Sequence, residues 1–184
     1  MRISGVIFLF ACFFTFAYFP AIAQSKRNSV NMSKMDIVRL IAQYPYCFEE
    51  MIGELQYRRN DSIMYSCDSE IQTLMVCQII RYDLDSTHCS LESVMYTTED
   101  FEKGVNAHKI LYRNFRNTVF LPMGIKMRFR GDYIQPSREL KVNNVILKLI
   151  PNDEIIEDMR VQISLNYVND KWEVKLRIAD RQRL

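Results

Sequence analysis

The stretch that decides the fold is "VQISLNYVNDKWEVKLRI", residues 161–178. Val161, Ile163, Leu165 and Tyr167 alternate with Gln162, Ser164 and Asn166. Trp172, Val174, Leu176 and Ile178 then alternate with Glu173, Lys175 and Arg177. A period of two with one apolar face reads as a half-buried strand, and here there are two in succession. Asn169-Asp170 lies between them, and Asn tolerates the positive φ that a two-residue hairpin loop demands. That loop would set Tyr167 opposite Trp172, Leu165 opposite Val174, Ile163 opposite Leu176, and Val161 opposite Ile178. Every apolar residue then meets an apolar residue, whereas a slip of one residue would turn one strand's set outward. Trp172, the only tryptophan of the chain, is thereby expected on the buried face of a sheet.

The same period extends upstream. Ile125, Met127 and Phe129 alternate with Lys126, Arg128 and Arg130, and Val145, Leu147 and Leu149 with Asn144, Ile146 and Lys148. Four such strands describe an antiparallel sheet with one polar face. Before residue 117 the period is helical. "SKMD" (33–36) is a capping box, and Ile37, Leu40, Ile41 and Tyr44 follow on one helical face, ending at Pro45. Phe48, Met51, Ile52 and Leu55 predict a second helical segment. Ile71, Leu74, Met75, Ile79 and Tyr82 predict a third, with a strand reading open for part of 62–80. "TTED" (97–100) predicts a cap by Thr97 and Asp100. Phe101, Val105, His108, Tyr112 and Phe115 follow as an amphipathic stripe. Helices first and a meander last is an α+β order, with helices packed on a curved antiparallel sheet.

Over roughly residues 34–180 this order resembles the cone-shaped, nuclear-transport-factor-2-like family. The features that carry it are the helix at 98–116 leading into the sheet and the closing hairpin with Trp172 opening its last strand. The resemblance implies a strongly curved, cone-like sheet wrapped around helices. Members of that family include isomerases, dehydratases and hydrolases with sites inside the cone, and many that only bind or associate, so the fold gives a place to inspect and not an activity. A cystatin-like helix-on-sheet fold is the nearest alternative.

The N-terminus bears on location. Arg2, the apolar run "GVIFLFACFFTFAYF" (5–19), Pro20 and "AIA" (21–23) have the layout of a secretory signal cleaved between Ala23 and Gln24. The apolar run is shorter than the roughly 20 residues a spanning helix needs. The expected organisation is a signal peptide at 1–23, a flexible lead at 24–33, one α+β domain at 34–180 and a tail at 181–184. The product would be secreted, with no membrane association after cleavage. Cys47, Cys67, Cys77 and Cys89 then remain, and an even count in an oxidising compartment reads as two disulfides of unknown pairing. No C-x-x-C or zinc spacing occurs, so no metal is expected. Asn31-Met-Ser and Asn60-Asp-Ser are glycosylation sequons.

Charge is uneven along the chain. Residues 36–102 hold 13 acidic and 4 basic side chains, and residues 103–184 hold 9 acidic and 16 basic. Phosphate-binding glycine loops, the G-x-S-x-G elbow and H-E-x-x-H are all absent from the sequence, which speaks against nucleotide, redox-cofactor and zinc-hydrolase chemistry. No cofactor is expected. His108, on an apolar stripe with Asp100 two turns earlier, is the weak catalytic candidate, since a neutral imidazole in a cone would serve as general base. A packed core histidine is the simpler account. His88 adjoins Cys89, but neighbouring residues point apart and a disulfide competes for the thiol. Lys126, Arg128, Arg130, Lys148, Lys175 and Arg177 all fall on the polar sheet face and are the binding candidates, for an anionic glycan, lipid head group or acidic protein. A merely soluble exterior is the plain alternative. Ile146, Ile150 and Val168 among them would centre a homodimer contact. Near-neutral net charge, +2 overall, and location disfavour nucleic acid. The sequence therefore points to a secreted, non-enzymatic domain that binds an unknown protein or small molecule, with a cone-cavity isomerase or hydrolase using His108 as the alternative.

Overall fold

A computed structural model of the chain describes residues 30–82, 88–121, 124–151 and 156–183. The signal segment and its cleavage position lie outside the described residues. The architecture is α+β, with a nine-stranded antiparallel sheet and two α-helices. The helices are α1 (Lys34–Ala42) and α2 (Phe101–Arg116). The strands are β1 (Ile52–Arg58), β2 (Ser62–Cys67), β3 (Val76–Tyr82), β4 (Cys89–Thr98), β5 (Val119–Phe120), β6 (Met127–Arg130), β7 (Val142–Ile150), β8 (Met159–Val168) and β9 (Lys171–Asp180). Their order across the sheet is β1-β2-β3-β4-β9-β8-β7-β6-β5.

The closing hairpin forms in the expected register: Tyr167 opposes Trp172, Leu165 opposes Val174, Ile163 opposes Leu176 and Val161 opposes Ile178. Asn169 and Asp170 both take positive φ, 48° and 61°, the geometry of a two-residue turn whose twist matches that of the strands. The apolar face is sealed, with Val161, Ile163, Leu165, Val174, Leu176 and Ile178 fully buried. α2 lies on that face against β4, β6, β8 and β9. Gly104 permits the close approach: a Cβ there would stand 3.0 Å from the Leu165 side chain and 3.3 Å from that of Trp172. Phe101 meets Trp172 edge-to-face, with centroids 4.8 Å apart.

α1 is capped by Ser33, whose hydroxyl oxygen accepts the Asp36 N–H at 3.1 Å while its O–H donates to the Asp36 carboxylate at 2.7 Å. Ile37, Leu40 and Ile41 are buried as the spacing requires, and Val30 and Met32, ahead of the helix, are buried too. The cap of α2 is Asp100 alone, accepting the N–H groups of Glu102 and Lys103 at 2.9 and 3.3 Å. Thr97 belongs to β4, so the predicted Thr97 cap is corrected by three residues.

The second predicted helix is a strand, and for the third the alternative strand reading of part of 62–80 is the one that holds. After a short 3₁₀ turn at Glu49–Met51, the segment from Ile52 runs as β1, and Val76–Tyr82 runs as β3. Apolar residues three and four apart also arise when a strand is half-buried on both faces, and there the helical count misleads. Cys67 and Cys77 form a disulfide with Cα atoms 5.3 Å apart, one step beyond the Ser66–Gln78 pair of β2 and β3. That closeness needs two neighbouring strands and is incompatible with a single helix.

Candidate functional site

His108 sits on α2 with no exposed surface. Its Nε2–H donates to the Ile163 carbonyl at 3.2 Å, which leaves Nδ1 as a buried acceptor without a partner. Burial pushes its pKa down, partly offset by that hydrogen bond, so the ring is neutral near pH 7. The Tyr133 ring lies 5.6 Å from it, and the Tyr133 hydroxyl is likewise buried without a partner. Asp100 does not join this pair, because its carboxylate is engaged at the N-terminus of α2. Surface grooves among the described residues include the following three. One runs beside α2 at Asn31, Tyr96 and Lys103, one at Thr98, Asp100 and Lys171, and one at Arg39, Glu50 and Glu70. His108 lines none of them.

The outward face of the sheet separates the six basic candidates into two groups. Lys175 pairs with Glu173 at 2.9 Å, and Arg177 pairs with Glu92 at 3.0 Å and also reaches the Tyr82 hydroxyl. These two are neutralised within the fold. Arg128, Arg130 and Lys148 are exposed on β6 and β7, and Lys126 is exposed just before β6. None of the four makes an ion pair among the described residues. Arg130 stands directly opposite Lys148, and Arg128 directly opposite Ile150. Like charges facing each other across a ladder repel, at a cost of some tenths of a kcal/mol.

The apolar residues of this face group differently from the expectation. β7 alternates exposed and buried at every residue, so Val142, Ile146 and Ile150 form an outward stripe with Lys148 inside it. Val168 lies at the far end of β8, six residues from Gln162, the partner of Ile146. Val142 takes its place in the stripe. Val142 lies outside the alternating stretch from Asn144 to Leu149, but the ladder with β8 begins at the Val142–Asn166 pair.

A second polar cluster lies where the turn after α1 meets the end of β9. His88 Nδ1 is 2.6 Å from Asp180 Oδ2, and the Tyr44 hydroxyl donates to Asp180 Oδ1. Burial and that hydrogen bond push the Tyr44 pKa up. Cys47 and Cys89 are buried next to it. Asn60 is exposed at the β1–β2 turn, and Asn31, also exposed, accepts a hydrogen bond from Asn114. Among the described residues, no three His, Cys, Asp or Glu side chains converge as metal ligands, and no helix is long and apolar enough to cross a membrane. No family model, curated protein or solved structure matches this chain.

Proposed function

We propose that the chain is a secreted, disulfide-stapled, non-enzymatic binding domain that takes an anionic ligand on the outward face of β6 and β7. The observation that carries this reading is the Arg130–Lys148 cross-strand pair with Arg128 beside it, without an ion pair among the described residues, while Lys175 and Arg177 of β9 are matched by acids. An anionic ligand would relieve that repulsion, and the Val142–Ile146–Ile150 stripe would add apolar contact beside it. Self-association through the same face would bring two basic clusters together, which makes a homodimer the weaker arrangement. Secretion is supported by the N-terminal signal layout and by the Cys67–Cys77 bridge, which suits an oxidising compartment. Kinship with the cone-shaped family is supported by α2 leading into the sheet and by the Trp172 hairpin.

The test is retention on an immobilised sulfated polysaccharide, with a salt gradient as readout. Charge reversal at Arg128, Arg130 and Lys148 together should abolish the salt-dependent retention, and reversal at Lys175 and Arg177 should leave most of it. Equal elution of wild type and the triple variant would end this reading.

A second reading rests on one specific observation, the neighbouring rings of His108 and Tyr133, whose Nδ1 and hydroxyl are each buried without a partner. A neutral imidazole with a bare lone pair has the state required of a general base in a cone-cavity isomerase or hydrolase. Any turnover found must then vanish in His108→Gln, and activity that survives that change would remove His108 from the site.

A further inference from the structure

We propose that Cys47 and Cys89 are joined in the mature protein as a second disulfide, tying the turn after α1 to the first residue of β4. The two cysteines lie far apart in sequence, but the fold brings them to a single carbonyl. The Cys47 N–H donates to Tyr44 O at 3.0 Å, and Cys89 Sγ lies 4.0 Å from the same oxygen. Both residues are buried, at 7 % and 1 % exposure, so neither thiol is positioned as an open surface nucleophile. The two thiols are near enough that each is the first cause of the other's shift in acidity. The Cys47 thiol is held below its ordinary pKa, chiefly by the Cys89 S–H and also by the Arg81 guanidinium. Cys89 is pushed up, first by Cys47 and then by burial.

The surrounding backbone gives the bridge a structural role. Cys47 and Phe48 both take left-handed φ, 49° and 55°, a conformation that is uncommon for side chains of this size. The Phe48 side chain is fully buried, so the turn holds a fixed position in the core. α1 packs mainly against α2 and its own following turn. A covalent tie at Cys47 would anchor this N-terminal unit directly to the sheet.

The chemistry balances as thiol–disulfide exchange with a disulfide oxidant, of which oxidised glutathione is the simplest. The Cys47 thiolate attacks one sulfur of the oxidant, and one glutathione leaves as thiolate. Cys89 gives its proton to that thiolate and attacks the Cys47 sulfur, expelling the second glutathione. The protein loses two hydrogens as electrons and protons, and one disulfide is reduced to two thiols.

The bridge rests on the secretory reading for its natural oxidant, so the test supplies the oxidant itself. Chain purified from a secretory host is reduced, refolded in a glutathione redox couple, denatured, alkylated without reductant and digested for mass mapping. The expected result is a peptide pair linked through Cys47 and Cys89, a second pair linked through Cys67 and Cys77, and alkylation at none of the four. Alkylated Cys47 and Cys89 beside an intact Cys67–Cys77 pair would overturn the proposal, as would either residue linked to Cys67 or Cys77. Neither outcome depends on whether the β6–β7 face binds an anion. The wild-type chain suffices, so no variant has to fold.

Discussion

The closing hairpin and the opening hairpin are both antiparallel pairs, yet they are held by different forces. β8 and β9 pair at ten consecutive positions without a break, and α2 covers their apolar face. β1 and β2 pair at four positions with two register shifts between them, and no residue of either strand is fully buried. Removal of apolar area from water stabilises the first pair. The second has little such area and depends on its ladder and on the Cys67–Cys77 bridge at its neighbour β3. Stability should accordingly be unequal across the sheet, with the β1–β3 wing opening at lower free energy than the β6–β9 half.

That inequality is exposed most directly in the covered half. Leu176→Ala removes a fully buried side chain opposite Ile163, and should cost about 3 kcal/mol of global stability. A urea melt followed by Trp172 fluorescence checks it, and a loss under 1 kcal/mol would break the comparison. Replacing Cys67 and Cys77 together by Ala should cost roughly 2.5 kcal/mol by loop entropy. The cost should be confined to the wing. Amide exchange in β1–β3 should accelerate while that of β8 and β9 stays protected, and uniform acceleration would show one cooperative unit.

The next effect is one of pH. The folded-state pKa of His108 lies below its ordinary 6.5, so the unfolded chain binds the extra proton first and stability falls as pH drops below that value. The loss is at most about 1.4 kcal/mol for each pH unit until the depressed folded value is reached. In His108→Gln, the difference between urea midpoints at neutral and mildly acidic pH should shrink. An unchanged difference would mean that other groups govern acid stability. The smallest expected effect is that of Asp100→Ala, about 1 kcal/mol, through loss of the α2 cap. Thermal melts should show it, together with a Thr97→Ala control that leaves the cap intact.

The two halves also differ in how far they can be read from the residues. In β6–β9 one face is buried, so apolar and polar side chains alternate and both the register and the outward direction of Arg128, Arg130 and Lys148 follow from the alternation. In β1–β3 both faces are partly wet and the alternation fades, so Ile52, Leu55 and Ile79, with Ile71 between β2 and β3, imitate a helix. The basic candidates show the same limit. That Arg177 is neutralised depends on Glu92, which reaches it only because β4 pairs with β9. The isolation of Arg130 and Lys148 depends equally on the strand each one faces.

What the sequence by itself determined about this protein is its α+β class, the Trp172 hairpin with its register, the buried stripes of α1 and α2, and the basic character of the outer sheet face. These are periodic signals carried by neighbouring residues, and burial on one side of an element is enough to write them. Only the tertiary structure decided that β4 lies beside β9, that His108 is sealed and separated from Asp100, that four of the six basic residues have no ion pair among the described residues, and which cysteines meet. Each of these depends on contacts between residues distant in the chain. Such contacts are chosen by how the whole sheet closes around its core, and no local pattern encodes them.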